Sequence, residues 1–178
     1  MENDQRTPSP EALVRPATPA DSEVIIQLIV ALAEFERLPP PDEAAAGRLM
    51  ADAFGPHPRF EVFLAELEGQ VVGYAFVFET YSTFLARPSL YLEDLFVLPQ
   101  FRSRRVGYAL MKYCAEQAWK RGCARLDWVV LEWNAHAIAF YERLGEAPGR
   151  LAPVSPRRAR SRASGRVLTP GVTYGRSI

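Results

Sequence analysis

The chain has 178 residues, of which 48% are hydrophobic and 11% aromatic, with 21 basic and 21 acidic side chains. This composition is sufficient for the buried core of one domain, and no apolar stretch approaches the roughly 20 residues of a membrane-spanning helix. The polar start lacks the apolar segment of a secretion signal. These features exclude a membrane protein and predict a soluble cytoplasmic one.

Charge is distributed unevenly along the chain. Seven arginines and no acidic residue follow Glu146, so residues 1–146 contain 14 basic and 21 acidic side chains, a net charge of −7. Residues 12–146 are predicted to be one folded domain, residues 1–11 a flexible start, and residues 147–178 an Arg/Pro/Ser-rich tail with the composition of a disordered segment. Such an abrupt change of composition is also what a shifted reading frame produces.

Apolar spacing and the positions of proline and glycine predict nine elements before Glu146. The strands are 12–18, 60–67, 71–80, 90–98 and 125–131, and the helices are 18–38, 42–54, 105–122 and 134–145. Residues 81–89 are expected to be a looser connection, and Thr18 and Asn134 are expected to cap helices. The order βααβββαβα predicts a mixed α/β domain with one central sheet.

The junction between the strand 90–98 and the following helix is basic. Arg102, Arg104 and Arg105 lie there, and no acidic residue occurs between Asp94 and Glu116. A helix start exposes unpaired N–H groups and the positive end of the helix dipole, so anions bind at such places. A solvated basic turn is the simpler alternative.

Four motifs in this order resemble the GNAT superfamily of acetyl-CoA-dependent N-acetyltransferases. They are RPATPAD (15–21), DAFGPHP (52–58), YLEDLFVLPQFR (91–102) and EWNAHAIAFYERLG (132–145), and they are similar to the diamine (spermidine/spermine-type) and thialysine acetyltransferase branch. The resemblance implies a central, mostly antiparallel sheet flanked by helices. The last strands of that fold have no counterpart in the sequence after Glu146.

The resemblance implies that acetyl-CoA is the acetyl donor and that backbone groups of one strand pair with its pantetheine arm. The matching cofactor-binding residues are Leu95, Phe96, Val97, Arg102, Ser103, Arg104, Arg105, Val106, Gly107, Tyr108, Asn134, Ala135, His136 and Ala137. The family usually has glycine where this chain has Ser103 and Arg105, because phosphate oxygens approach the backbone closely there. Arg105 adds bulk at this position, but its guanidinium could pair with a phosphate.

The resemblance also implies catalytic and substrate-binding residues. Tyr141 matches the acid that protonates the leaving sulfur, and Glu93 matches the group that accepts the amine's proton. Because Glu93 and Asp94 are adjacent on a strand, we expect them to face opposite sides and not to form a carboxylate pair. The matching substrate-binding residues are Phe35, Glu36, Glu93, Asp127, Trp128 and Val129.

The expected reaction is acetyl transfer to the primary amine of a small polyamine, diamine or lysine-like amino acid, in a homodimer. Carboxylates together with aromatic rings suit a substrate with several ammonium groups. The alternative is a catalytically weak protein of the same fold whose basic tail contacts nucleic acid or an acidic partner. That tail has no interleaved aromatics, so specific nucleic-acid binding is not expected. Cys114, Cys123 and the two histidines suggest neither a disulfide nor a metal site.

Overall fold

The computed structural model describes residues 11–146 and 154–159. Four α-helices and six strands occur in these ranges. They are β1 Leu13–Pro16, α1 Ser22–Glu36, α2 Glu43–Phe54, β2 Glu61–Leu67, β3 Gln70–Ser82, β4 Arg87–Val97, α3 Val106–Lys120, β5 Leu126–Leu131, α4 Ala135–Glu146 and β6 Val154–Ala159. The predicted order of the first nine elements is confirmed.

Of the two predicted caps, Asn134 caps α4, whereas Thr18 precedes a short 3-10 turn and α1 begins only at Ser22. The backbone N–H of Thr18 donates to Asp21 at 2.7 Å, in a short 3-10 turn that leads into α1. The amide oxygen of Asn134 accepts the N–H of Ala137 at 3.0 Å and caps α4. Arg15 donates to both Asp21 and Glu66, so β1, β2 and the start of α1 are joined by one cation.

The six strands form one sheet in the order β1-β2-β3-β4-β5-β6. Neighbours are antiparallel from β1 to β4, whereas β5 is parallel to both β4 and β6. This is the mixed α/β architecture with a mostly antiparallel sheet that the sequence predicted.

Helices cover both faces of the sheet. On one face, α3 buries Leu110, Met111 and Cys114 against strand residues that include Leu92 and Trp128. On the other face, α1 buries Ile25 and Leu28 against Val62, Leu64, Tyr74 and Phe96. A fully buried side chain of this size contributes about 1.5–3 kcal/mol. Each face therefore has its own apolar core, and the strands between them are held in fixed positions.

Two segments differ from the sequence-based expectation. The stretch 81–89 is mostly strand, because β3 and β4 continue to pair as far as Ser82 and Arg87 beyond the end of β2. Among the described residues, Tyr81 and Phe84 of this hairpin are exposed, so the stretch lacks the apolar pattern by which a strand is predicted.

The tail provides the second difference. We expected no strand after Glu146, but Val154–Ala159 pairs with β5. A strand at a sheet edge is held through its main chain and needs no apolar side-chain pattern. Residues 1–10 of the predicted flexible start (1–11) and the remaining tail (147–153 and 160–178) lie outside the described residues. Within the described ranges, no helix has the length and apolar character needed to cross a membrane.

Candidate active site

A cavity of about 490 Å³ opens where β4 and β5 separate. The two strands pair only through Leu90–Leu92 and Leu126–Trp128, although β4 continues to Val97 and β5 to Leu131. Beyond Leu92, one edge of β4 pairs with β3 and the other edge faces the gap. The cavity thus offers an open strand edge to which an extended ligand can bind through the backbone.

Most of the predicted site residues line this cavity. They are Phe35, Glu36, Glu93, Leu95, Phe96, Val97, Arg102, Ser103, Arg105, Val106, Gly107, Tyr108, Trp128, Val129, Asn134, His136, Ala137 and Tyr141. Three predicted site residues are not among those that line the cavity. Arg104 pairs with Glu68, and the buried Asp127 pairs with Arg125 at 2.6 Å. The N–H of Ala135 donates to the carbonyl oxygen of Trp133 in the turn before α4. Asp127 was expected to bind substrate, but its carboxylate forms an ion pair with Arg125, which directly precedes β5.

A β-bulge lies in β4 at Glu93. Phe76 is opposite Asp94 and Val77 is opposite Leu92, so Glu93 is an extra residue without a partner on β3. The bulge interrupts the alternation of side chains, and Leu92 and Leu95 pack into the same core cluster. The expectation that Glu93 and Asp94 face opposite sides assumed the regular alternation that this bulge interrupts, and both residues line the cavity.

Three acidic residues line the cavity: Glu36, Glu93 and Asp94. Burial, together with the charges of Glu93 and Glu36, raises the pKa of Asp94 to about 6. Burial also raises the pKa of Glu36. Concentrated negative charge of this kind favours a cationic ligand.

Aromatic rings lie beside the carboxylates. The ring centroid of Phe35 is 6.0 Å from that of Trp133 and 6.5 Å from that of Phe96. Trp133 is half-exposed and was not among the predicted site residues, although it directly precedes Asn134 in one of the family motifs. The rings add surfaces on which an ammonium group can bind by cation–π contact.

Tyr141 projects from α4 into the cavity and packs on the buried indole of Trp128, with 4.9 Å between ring centroids. Burial raises the pKa of Tyr141 well above its usual value. The phenol is therefore protonated at neutral pH and can act as a proton donor.

The turn between β4 and α3 has an unusual backbone. Ser103 and Arg105 have φ angles of 63° and 62°, in the left-handed region that favours glycine. The Arg105 side chain leaves the turn and places its guanidinium carbon 5.7 Å from the ring centroid of Tyr108. The turn thus keeps a glycine-like backbone at the start of α3 although both residues carry side chains.

Arg102 connects this turn to both sides of the cavity. Its Nε donates to the carbonyl oxygen of Val97 at 3.0 Å, and its guanidinium carbon lies 4.6 Å from the ring centroid of Phe35. Burial lowers its pKa from the usual arginine value. An open strand edge, a basic turn and a helix start together fit a long ligand that carries phosphate groups.

Replacing Ser103 with glycine should stabilise the protein. A left-handed conformation costs a non-glycine residue about 1–2 kcal/mol, and glycine loses part of this gain through its greater freedom in the unfolded chain. We expect urea denaturation to show a free energy of unfolding about 0.5–1 kcal/mol higher. Ser82→Gly, in extended β3, is the matched control and should lower it. A Ser103→Gly variant less stable than the parent would contradict the assignment of strain to this turn.

Comparison with known proteins gives consistent results. The model of the acetyltransferase (GNAT) family matches residues 27–145. The thialysine N-epsilon-acetyltransferase of Mus musculus is 38% identical over 140 residues, which are 74% of this chain and 82% of the relative. The L-ornithine N5-acetyltransferase NATA1 of Arabidopsis thaliana is 39% identical over 90 residues, 49% of this chain and 40% of the relative. A crystal structure of a probable acetyltransferase superposes with a TM-score of 0.68 at 19% identity and covers 80% of this chain and 98% of its own.

Proposed function

Because the chain belongs to the GNAT acetyltransferase family and is an N-acetyltransferase, we propose that it acetylates the primary amine of a small polyamine, diamine or lysine-like amino acid, with acetyl-CoA as donor. The observation that carries this proposal is the meeting of three carboxylates and an aromatic wall with a protonated tyrosine in one cavity. The homodimer implied by the resemblance and the cytoplasmic location expected from the sequence are also part of the proposal.

The amine side of the cavity supports a cationic substrate. Glu36, Glu93 and Asp94 supply negative charge, and Phe35 with Trp133 supplies aromatic surface. A substrate with one ammonium group on the carboxylates and its reacting amine further in would satisfy both features. The mouse and Arabidopsis relatives are named for amino acids with a side-chain amine, which is the same substrate chemistry.

The donor side supports acetyl-CoA. The open edge of β4 at residues 95–97 can hold an amide-containing arm through backbone hydrogen bonds, as a further strand would. Arg102 and Arg105, with the N-terminus of α3, can hold the phosphates. Gly107 lies at the same helix start, and a Cβ added there would already be 3.4 Å from Phe140. These residues fit the donor, which supplies an acetyl group activated as a thioester.

The chain's own residues then have three tasks. The carboxylates bind the ammonium form of the substrate and remove one proton from it, which leaves a nucleophilic nitrogen lone pair. As the new N–C bond forms and the C–S bond breaks, the hydroxyl of Tyr141 gives its proton to the sulfur. The tyrosine recovers a proton from the acylated nitrogen and the carboxylate releases its proton to solvent, so the protein ends unchanged.

Turnover on an amine panel tests the proposal. Purified full-length protein with acetyl-CoA should release CoA thiol with lysine, ornithine, thialysine, putrescine and spermidine more rapidly than with monoamines of equal length such as butylamine. Mass spectrometry should show a single added acetyl group on the amine. Calorimetry with acetyl-CoA alone checks donor binding separately. Absence of donor binding and of turnover on every amine would favour the alternative of a non-catalytic binding protein.

A further inference from the structure

We infer that Trp128 sets the length of the acyl group that the enzyme transfers and restricts the donor to acetyl-CoA. The inference rests on the proposed function and assigns the acyl end of the same cavity, whereas the resemblance gave Trp128 only a general substrate-binding role. It is carried by the place of the indole at the narrow end of the gap between β4 and β5.

The gap between the two strands closes at Leu92 and Trp128. These residues are the last pair through which β4 and β5 are joined, and both line the cavity and belong to the apolar core beneath α3. A donor with its phosphates at the start of α3 and its arm along residues 95–97 would point its other end toward this pair. That end carries the acyl group.

The two reactants enter the gap from opposite faces of the sheet. Phe35 on α1 packs on Phe96, on the face that α1 covers. The start of α3 lies on the other face, where Val106 and Tyr141 belong to the same core as Trp128. The amine and the acyl group therefore meet between the strands, which places the acyl group beside Trp128.

The surroundings of Trp128 leave the indole no room to withdraw. Trp128 is 2% exposed, and the ring of Tyr141 lies on it at a centroid distance of 4.9 Å. Leu110 and Met111 of the same core are completely buried. A close-packed interior accepts additional methylene groups only at a cost in strain. An acyl chain longer than acetyl would have to displace the indole or the tyrosine proposed as the proton donor.

The indole contributes volume rather than a hydrogen bond. Within the described residues, Nε1 of Trp128 is buried and has no hydrogen-bond partner. A phenylalanine in its place would therefore keep an apolar aromatic ring, remove volume and break no hydrogen bond. For this reason Trp128→Phe tests length selection directly.

The first experiment measures donor binding without an amine, so that no transfer to an amine occurs. Calorimetry with the purified full-length parent should give a Kd for butyryl-CoA about 10-fold or more above that for acetyl-CoA, because methylene groups that do not fit a pocket cost at least this much. In Trp128→Phe the two Kd values should differ by less than about threefold. Equal affinities for both donors in the parent would overturn the inference.

The second experiment compares donors during turnover. For one accepted amine, the ratio of kcat/KM for butyryl-CoA to kcat/KM for acetyl-CoA should rise about 10-fold or more in Trp128→Phe. A merely structural role for Trp128 predicts that both values fall together, so an unchanged ratio would refute the inference although the enzyme is active. Trp128→Leu should raise the ratio likewise and replaces the first variant if that one does not fold.

The other two tryptophans of the chain provide matched controls. Trp119 is 78% exposed on α3, and Trp133 packs on Phe35 on the amine side of the cavity. Trp119→Phe and Trp133→Phe make the same chemical change as Trp128→Phe, and both should keep the preference of the parent for acetyl-CoA. An equal rise of the ratio in Trp133→Phe would contradict our inference. Absence of CoA binding and of turnover in the parent would instead refute the proposed function.

Discussion

Replacing Tyr141 with phenylalanine is expected to lower kcat by about 100-fold or more, because proton donation by a positioned side chain typically contributes about 100-fold to 10,000-fold to a rate. The phenol is held protonated by burial and packs on Trp128. Phenylalanine keeps that packing and removes only the hydroxyl. Steady-state kinetics should therefore show lower kcat with little change in KM for acetyl-CoA, since binding of the donor precedes the proton transfer.

Tyr113→Phe is the matched control for this experiment. Tyr113 is partly buried on α3, packs on Phe63 at a centroid distance of 4.9 Å and does not line the cavity. Loss of its hydroxyl should leave kcat unchanged. An undiminished kcat in Tyr141→Phe would exclude this tyrosine as the acid and point to solvent as the source of the proton.

The second large effect is expected at Gly73 in β3. A Cβ at this position would lie 2.6 Å from the carbonyl oxygen of Phe96 and 3.3 Å from Cα of Val97. Both contacts are with the backbone of β4, which cannot move aside without breaking its pairing with β3. We expect Gly73→Ala to lower the free energy of unfolding by about 2–3 kcal/mol, measured by urea denaturation. It should also raise KM for acetyl-CoA, because the displaced residues form the open edge of the cavity.

Gly47→Ala provides the comparison. Gly47 lies within α2, and a Cβ there would meet no heavy atom within 4 Å outside its own helix. Alanine favours helix over glycine by about 0.8–1.0 kcal/mol, so this variant should be more stable than the parent. Equal and small effects at both glycines would show that β3 and β4 tolerate separation.

Local signals in the sequence were sufficient for most of the fold. Proline and glycine mark the ends of elements, and Asn134 caps α4 by the same rule that predicted it. Apolar spacing located α1, although such spacing alone does not identify Ile25, the residue of this helix that is fully buried. A spacing of three or four residues defines a helix face only to within one neighbour.

The features that build the site depend on contacts between distant parts of the chain. The bulge at Glu93 arises from the register of β4 against β3, and the gap at Leu92 arises from the end of its pairing with β5. Neither leaves a pattern in residue spacing. The turn between β4 and α3 could not be predicted either. The sequence showed that glycines are missing there, but only the backbone angles show that Ser103 and Arg105 adopt the left-handed conformation that favours glycine.

The gap between β4 and β5 has one more consequence, for the lifetime of the protein. Residues beyond Leu92 in β4 have a strand partner on one side only, so a donor bound there, as we propose, would take the place of a missing strand and close the sheet. A ligand that binds only the folded state stabilises it in proportion to the logarithm of its concentration, by about 2.7 kcal/mol at 100 times its Kd. The half-life of the protein against proteolysis should therefore increase with the concentration of its acetyl donor.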